Sequence, residues 1–319
     1  MTLLVALANE RFALLLADRR ITNEGRLLDD EFNKVCILFC DDARVAVGFT
    51  GLATYEDFDM SDWLLDTLAD IGHTTGGIAD ILAELKVRAT DKLRAAPVAD
   101  KRLSFLFTGF VYWEHIPRAT AYVLSNYANG QADNFSLRSI PSDGGSIIEI
   151  AGALNCLSPK IDAQLRRLLT SKLPPSSVLR FAVKQLQDAA TNGRAGGLIG
   201  TQSNSAIILA TPNTTVTTTY HSAFHSYAAY GANVVITKGM RMRGTEVFSS
   251  TIMAGAEIRK QDPCWCGSGQ KFKHCHLKKF GSFYIYHSAF KKPMYMVGGI
   301  DYDESRLSGR TFWVASGYE

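Results

Sequence analysis

The chain is short of several things, and each shortage excludes a class of protein. Six cysteines among 319 residues are too few for a disulfide scaffold. Neither sign of charge dominates: 34 Lys and Arg face 31 Asp and Glu, a net +3 that by itself points to no nucleic-acid partner. No Walker A sequence or convincing dinucleotide fingerprint occurs, so no nucleotide is expected. Long apolar runs are missing too. The first twenty residues lack a basic leader and are interrupted at Asn9-Glu10-Arg11, so they read as neither a signal peptide nor a membrane span, and a cytoplasmic location is expected. What is present is ordinary globular chemistry, 46% hydrophobic and 20% charged, which excludes a disordered chain, a coiled coil or a collagen.

Residues 2–8 and 11–17 are apolar, β-prone runs joined by Asn9-Glu10, a hairpin whose strands are covered on both faces. A polar stretch, 22–34, leads to strands at 35–39 and 44–49. Helical spacing follows at 61–71 and 78–95, then strand-like runs at 103–113, 119–126, 134–140 and 146–151. Further helices are expected at 160–169 and 176–190, the latter opened by Pro174-Pro175 and a Ser cap, and further strands at 204–209 and 215–220. Blocks of strands alternating with helix pairs argue against βαβ repetition. They suit an α+β fold, a four-layer αββα sandwich over residues 1–212. Residues 213–258 form an extension of uncertain fold, 259–280 a small zinc module, and 281–319 a strand-rich tail.

Thr2 follows the initiator Met, which is normally trimmed before a small residue. Trimming leaves one residue with a nucleophilic hydroxyl and an α-amine that titrates near pH 7.7–8.0, its own general base. Asp18 lies 16 residues on, and Lys34 a further 16. A cation lowers the proton affinity of the attacking group and a carboxylate holds that cation in place. A solvated Asp–Lys pair of no consequence is the bland alternative.

These residues, with Ala17-Asp18-Arg19-Arg20-Ile21-Thr22, Asn33-Lys34-Val35 and Gly48-Phe49-Thr50-Gly51-Leu52-Ala53, resemble proteasome β-subunits and the bacterial HslV peptidase, which are N-terminal nucleophile hydrolases. The resemblance covers residues 2 to about 212. It implies that Thr2 is nucleophile and base, that Lys34 is its electrostatic partner, and that Asp18 orients Lys34. It further implies that the Gly51 N–H forms the oxyanion hole and that Thr22 lines a groove binding peptide or amide substrate as an added β-strand. Stacked-ring homo-oligomers are the family's habit. Two departures are visible. Ala151-Gly152-Ala153-Leu154 lacks the serine that the family places after a glycine near its third helix. The family's Asp and Ser beside the amine have no clean counterpart, Asp188 being merely near.

The densest motif runs from Asp262 to His276: Cys264-Trp265-Cys266, eight residues, then Cys275-His276. Three thiolates and an imidazole make a closed tetrahedral zinc set, structural rather than catalytic. Gly267 and Gly269 let the chain turn back so that both pairs reach one ion. The stretch resembles the SEC-C motif, the zinc module known from the C-terminus of SecA and from otherwise unrelated proteins. His276 occupies the position of the family's fourth ligand; His274 is its rival. Arg259, Lys260, Lys271, Lys273, Lys278 and Lys279 make the surroundings basic, which suits an acidic protein surface or an anionic lipid, or simply a solvated face. A catalytically silent scaffold that binds through this module is therefore the rival to a hydrolase.

Two lesser signals complete the reading. Tyr220-His221-Ser222-Ala223-Phe224 recurs as Tyr286-His287-Ser288-Ala289-Phe290, two strands of one small sheet or a coincidence. His221 and His225 share a face on helix or strand and read as core or surface histidines. Cys36, Cys40 and Cys156 lie among apolar residues and read as buried thiols.

Overall fold

The computed structural model describes residues 2–23, 25–30, 32–114, 116–127, 134–153, 156–158, 160–210, 216–221 and 233–237, with short pieces at 247–249, 271, 274, 285–287 and 292–294. The chain opens with β1 (Leu3–Asn9) and β2 (Phe12–Asp18), a hairpin, then β3 (Ile21–Asn23) and β4 (Arg26–Asp29). Next come β5 (Val35–Phe39), β6 (Ala43–Gly51) and the short β7 (Thr54–Tyr55) and β8 (Phe58–Asp59). Helices α1 (Met60–Thr74) and α2 (Ile78–Ala95) precede β9 (Leu103–Trp113), β10 (Ile116–Ser125), β11 (Ser136–Ser139) and β12 (Ser146–Gly152). After α3 (Ile161–Thr170) and α4 (Pro175–Thr191) come β13 (Ser203–Leu209), β14 (Val216–His221), β15 (Asn233–Ile236) and β16 (Val247–Ser249). A small hairpin, β17 (Ile285–His287) and β18 (Lys292–Met294), is the last described piece.

Two six-stranded sheets carry the fold, in the orders β12-β1-β2-β13-β14-β16 and β11-β10-β9-β6-β5-β15. Alternation along β1 shows how they stack. Leu3, Val5 and Leu7 pack with residues of α3 and α4, whereas Leu4, Ala6 and Ala8 pack with Val35, Ile37, Phe39, Leu106 and Phe110 of the other sheet. The outer face of that second sheet buries Leu38, Val45, Phe105 and Phe107 against Leu64, Leu68, Leu82 and Leu85 of α1 and α2. Helix pair, sheet, sheet and helix pair thus form four layers. Each fully buried Leu or Phe contributes roughly 1.5–3 kcal/mol of transfer free energy. Both faces of β1 and β2 are covered, which is why their sequences are unbroken apolar runs.

Local chemistry fixes the element ends. The Asn9 side chain accepts from the N–H groups of Arg11 (2.9 Å) and Phe12 (3.0 Å), closing the first turn, while its own amide donates to the Leu169 carbonyl. Helix α1 is capped by Asp59, whose carboxylate accepts from Asp62 N–H. In α4 the expected Ser cap is absent. Pro174 is the N-cap residue and Pro175 the first helical position, where a missing N–H costs nothing.

Several features differ from the sequence reading. The polar stretch after β2 holds the β3–β4 hairpin, invisible to hydrophobic patterning because β4 is exposed throughout, Leu27 and Leu28 included. Strands β14, β15 and β16 lie beyond residue 212 yet pair with the two sheets, β15 parallel to β5 and β16 parallel to β14. The two Tyr-His repeats fall on strands of different sheets: His221 ends β14 and His287 ends β17. His221 is buried and bonds Ser205 Oγ at 2.9 Å. Cys36, Cys40 and Cys156 are free, buried thiols, and burial pushes Cys36 up to about 12. Among the described residues no helix is long and apolar enough to cross a membrane.

Candidate active site

Thr2, Asp18 and Lys34 come together where three strands begin or end. Thr2 immediately precedes β1, Asp18 closes β2, and Lys34 immediately precedes β5 in the opposite sheet. All three are buried, Lys34 to within 2% of complete. The Lys34 ammonium Nζ lies 2.6 Å from Thr2 Oγ1, 2.6 Å from the Arg20 carbonyl and 3.7 Å from Asp18 Oδ1. Two of its N–H donors are taken by hydrogen bonds to Thr2 Oγ1 and the Arg20 carbonyl, and Asp18 supplies the opposite charge from just beyond hydrogen-bond range.

Asp18 is held by main chain on several sides. Its Oδ1 accepts from Leu3 N–H at 2.7 Å, and its Oδ2 accepts from Arg20 N–H at 3.0 Å and Gly200 N–H at 3.3 Å. The Leu3 bond pins the peptide next to Thr2. Burial pushes the Asp18 carboxyl upward, opposed by the Lys34 charge and those three N–H groups. Burial brings Lys34 down to about 8, with Asp18 pulling the other way.

Gly51 ends β6 with φ +109°, and a Cβ there would sit 2.0 Å from the Arg102 carbonyl oxygen, so only glycine fits. It is the residue after Thr50, which touches Thr2. Thr22 is half-buried on β3, in register with Leu27 of β4, two residues past the carbonyl that receives Lys34.

Sequence reasoning missed several contributors. The Thr50 hydroxyl accepts from Thr2 N at 3.3 Å and donates to the Thr2 carbonyl at 3.1 Å. Ala153 N–H also donates to that carbonyl at 2.9 Å. Gly152, φ +90°, permits both contacts, because a Cβ there would reach 1.7 Å from the Thr2 carbonyl and 2.7 Å from Thr50 Oγ1. Arg20 grips Asp30 through two bonds of 2.6 and 3.0 Å and donates to the Gly197 carbonyl, tying the Gly200 loop to the site. No linear pattern announces these contacts. The glycine pair Gly51 and Gly152 was the available signal, since each sits in a quoted motif.

The expected zinc ligands Cys264, Cys266, Cys275 and His276 lie outside the described residues. His274, the rival ligand, is exposed and its N–H donates to the Lys271 carbonyl at 2.9 Å. Among the described residues no cluster of three or more His, Cys, Asp or Glu side chains could hold a metal.

Known proteins match the two ends of the chain differently. The SEC-C motif matches residues 262–278. Protein translocase subunit SecA from two strains of Pseudomonas putida is 50% identical over 30 residues, 9% of this chain and 3% of SecA. The chain therefore spans only a small fraction of the curated relatives it matches. Among solved structures, Anbu, the ancestral β-subunit, from Yersinia bercovieri has a TM-score of 0.45 at 13% identity, covering 65% of this chain and 82% of its own. A Gly-1 mutant of Anbu from Hyphomicrobium sp. strain MC1 has a TM-score of 0.44 at 12% identity, covering 65% and 81%. By sequence, what is shared with known families is the SEC-C motif at residues 262–278.

Proposed function

We propose that the chain is a threonine-type amide or peptide hydrolase of the N-terminal nucleophile class, with a zinc-bearing SEC-C module for docking. The observation that carries this reading is the 2.6 Å contact between Lys34 Nζ and Thr2 Oγ1 in a buried setting, with the Asp18 carboxylate as counter-charge. Once Met1 is removed, the neutral Thr2 amine takes the hydroxyl proton and Oγ1 bonds to the substrate carbonyl carbon. The developing oxyanion is received by the Gly51 N–H, and the Lys34 charge steadies the alkoxide. The amine then passes its proton to the leaving nitrogen as the C–N bond breaks, leaving an ester on Thr2. Water, giving a proton to the same amine, adds to the ester carbonyl; collapse releases the acid and returns the proton to Oγ1. Thr22 and the β3–β4 hairpin flank the extended substrate.

The donor set of Cys264, Cys266, Cys275 and His276 fits zinc: three soft thiolates and one imidazole, with no carboxylate and no open position. Such a set supplies folding free energy to a module too small for a core of its own. The basic residues around it suit an acidic protein segment or an anionic lipid surface as partner. One observation favours a binding role without turnover: Ala153 stands where the resembled family carries a serine.

Intact mass with and without a peptide epoxyketone, which captures an N-terminal threonine through hydroxyl and amine together, separates the two readings. Loss of Met1 plus a single adduct, absent from Thr2→Ala, is expected. A retained Met1, or a free Thr2 that takes no adduct, leaves the scaffold reading.

A further inference from the structure

We propose that the Thr50 hydroxyl is the positioning group of the Thr2 α-amine, an assignment that rests on the hydrolase reading above. An amine acting as base must aim its lone pair at its own Oγ1, and on a nitrogen free to rotate that aim has to be imposed by partners for the N–H bonds. Ala153 has no hydroxyl to offer, and its N–H is directed to the Thr2 carbonyl. Thr50 has one, in the right place and with its polarity settled. Its O–H donates to the Thr2 carbonyl at 3.1 Å, so the oxygen accepts from the Thr2 nitrogen, 3.3 Å away, which is a peptide N–H while Met1 is attached and becomes the amine at the same place once Met1 is removed.

The setting is purpose-fitted on three sides. Thr50 is buried on β6, in register with Ser104 of β9, so its rotamer is constrained by the sheet. Gly152 leaves the space through which the hydroxyl reaches across from one sheet to the other. Leu3 N–H, bound to Asp18 Oδ1, fixes the peptide that follows Thr2. The nitrogen is thereby held from its own residue's carbonyl side by Thr50, while the hydroxyl is held by Lys34. The charged groups around it are Lys34 and Asp18, with Arg19 and Asp29 acting on Lys34 from the β2 end and from β4. The end of β6 brings Thr50 and Gly51, and the end of β12 with the residue after it brings Gly152 and Ala153, all uncharged. An acceptor beside the amine favours its protonated form, so removing that acceptor lowers the amine pKa.

The test uses the full chain released at Thr2 from a cleavable leader, so that the amine exists whatever becomes of Met1. Carbon-13 threonine labelling reads the amine pKa from the titration of the Thr2 Cα signal, assigned by its loss in Thr2→Ser. Thr50→Val is expected to lower that pKa by roughly half a unit and to slow epoxyketone adduct formation about tenfold. Thr50→Ser, which keeps the oxygen, restores both. Thr50→Ala reads the same contact if the valine variant does not fold. An amine pKa indifferent to Thr50→Val or Thr50→Ala, or a serine variant no better than these, overturns the assignment. A Thr50-dependent amine that forms no adduct in the unsubstituted chain sinks the hydrolase reading instead and leaves the contact standing.

Discussion

The Thr2 cluster and the cysteine motif carry their chemistry in opposite ways. The cluster around Thr2 draws on residues 18, 20, 34, 50, 152 and 200, from five separate stretches of the chain. The cysteine motif compresses its whole donor set into thirteen residues, Cys264 to His276. A linear motif can be matched by itself, and the match to SecA spans 30 residues, 9% of this chain and 3% of SecA. A dispersed site cannot be copied in pieces, since two sheets must stack before Lys34 reaches Thr2. The lesson is that a compact motif is found whole by sequence comparison, whereas in a packed site the sequence marks some members and geometry supplies the rest, Thr50 and Gly152 among them.

The separation is sharpest as a double dissociation. Lys34→Ala removes the charge at Thr2 Oγ1 and leaves Asp18 buried without its cation. Epoxyketone adduct formation should fall by roughly a thousandfold, while zinc content should equal that of the unsubstituted chain. Cys264→Ser should do the reverse, lowering the zinc content and leaving the adduct rate within about twofold of the unsubstituted protein, as for sites that share no partner. Zinc analysis beside adduct kinetics reads both. A Cys264→Ser variant that also stops forming adduct would show that the two regions are coupled after all.

How much was legible in the sequence follows the same division. Thr2, Asp18 and Lys34 could be picked out because each sits at a strand boundary within stretches that resemble N-terminal nucleophile hydrolases, although spacing alone does not say that they meet. The layers were legible because β1 and β2 are apolar on both faces. Thr50 was inside a quoted stretch, yet its role was hidden: it depends on Gly152, more than a hundred residues on, having no side chain. The β3–β4 hairpin was hidden for the opposite reason. It is held by main-chain pairing with little burial, so hydrophobic periodicity does not mark it. Short parallel strands such as β15 also lack a local signature, because their partner β5 lies some two hundred residues earlier.

Gly152 is the place where the packed site should be most fragile. Alanine there would drive a Cβ into the Thr2 carbonyl, at 1.7 Å, in a backbone conformation with φ +90°. Relief requires moving β1 or β12, and the cost should be about 3 kcal/mol or more. Gly193 has positive φ as well, but nothing lies within 4 Å of its added Cβ. Gly193→Ala should therefore cost only about 1 kcal/mol. Denaturant unfolding of the two variants measures the difference. Equal losses would mean that backbone conformation alone, rather than contact with Thr2, accounts for the glycine.

The smallest expected effect is a matter of pH, and it belongs to the packed region alone. The Thr2 amine must be neutral to act as base, so adduct formation should rise with pH as an α-amine near 7.7–8.0 loses its proton. In the proposed mechanism Lys34 keeps its proton to steady the alkoxide, and burial brings it down to about 8. Above that value the ammonium is lost and the rate should fall. The two limbs meet near pH 8 in a narrow bell whose apparent pKa values belong to the coupled pair. Stability moves with the same group in the opposite sense. Between about 8 and the ordinary lysine value of 10.5, the unfolded chain binds the proton that the folded chain has released, so stability should rise with pH across that window. A rate that falls while the thermal midpoint climbs identifies deprotonation of Lys34 rather than alkaline unfolding. A rate that stays level beyond pH 9 would mean that the Lys34 charge does not act on Thr2.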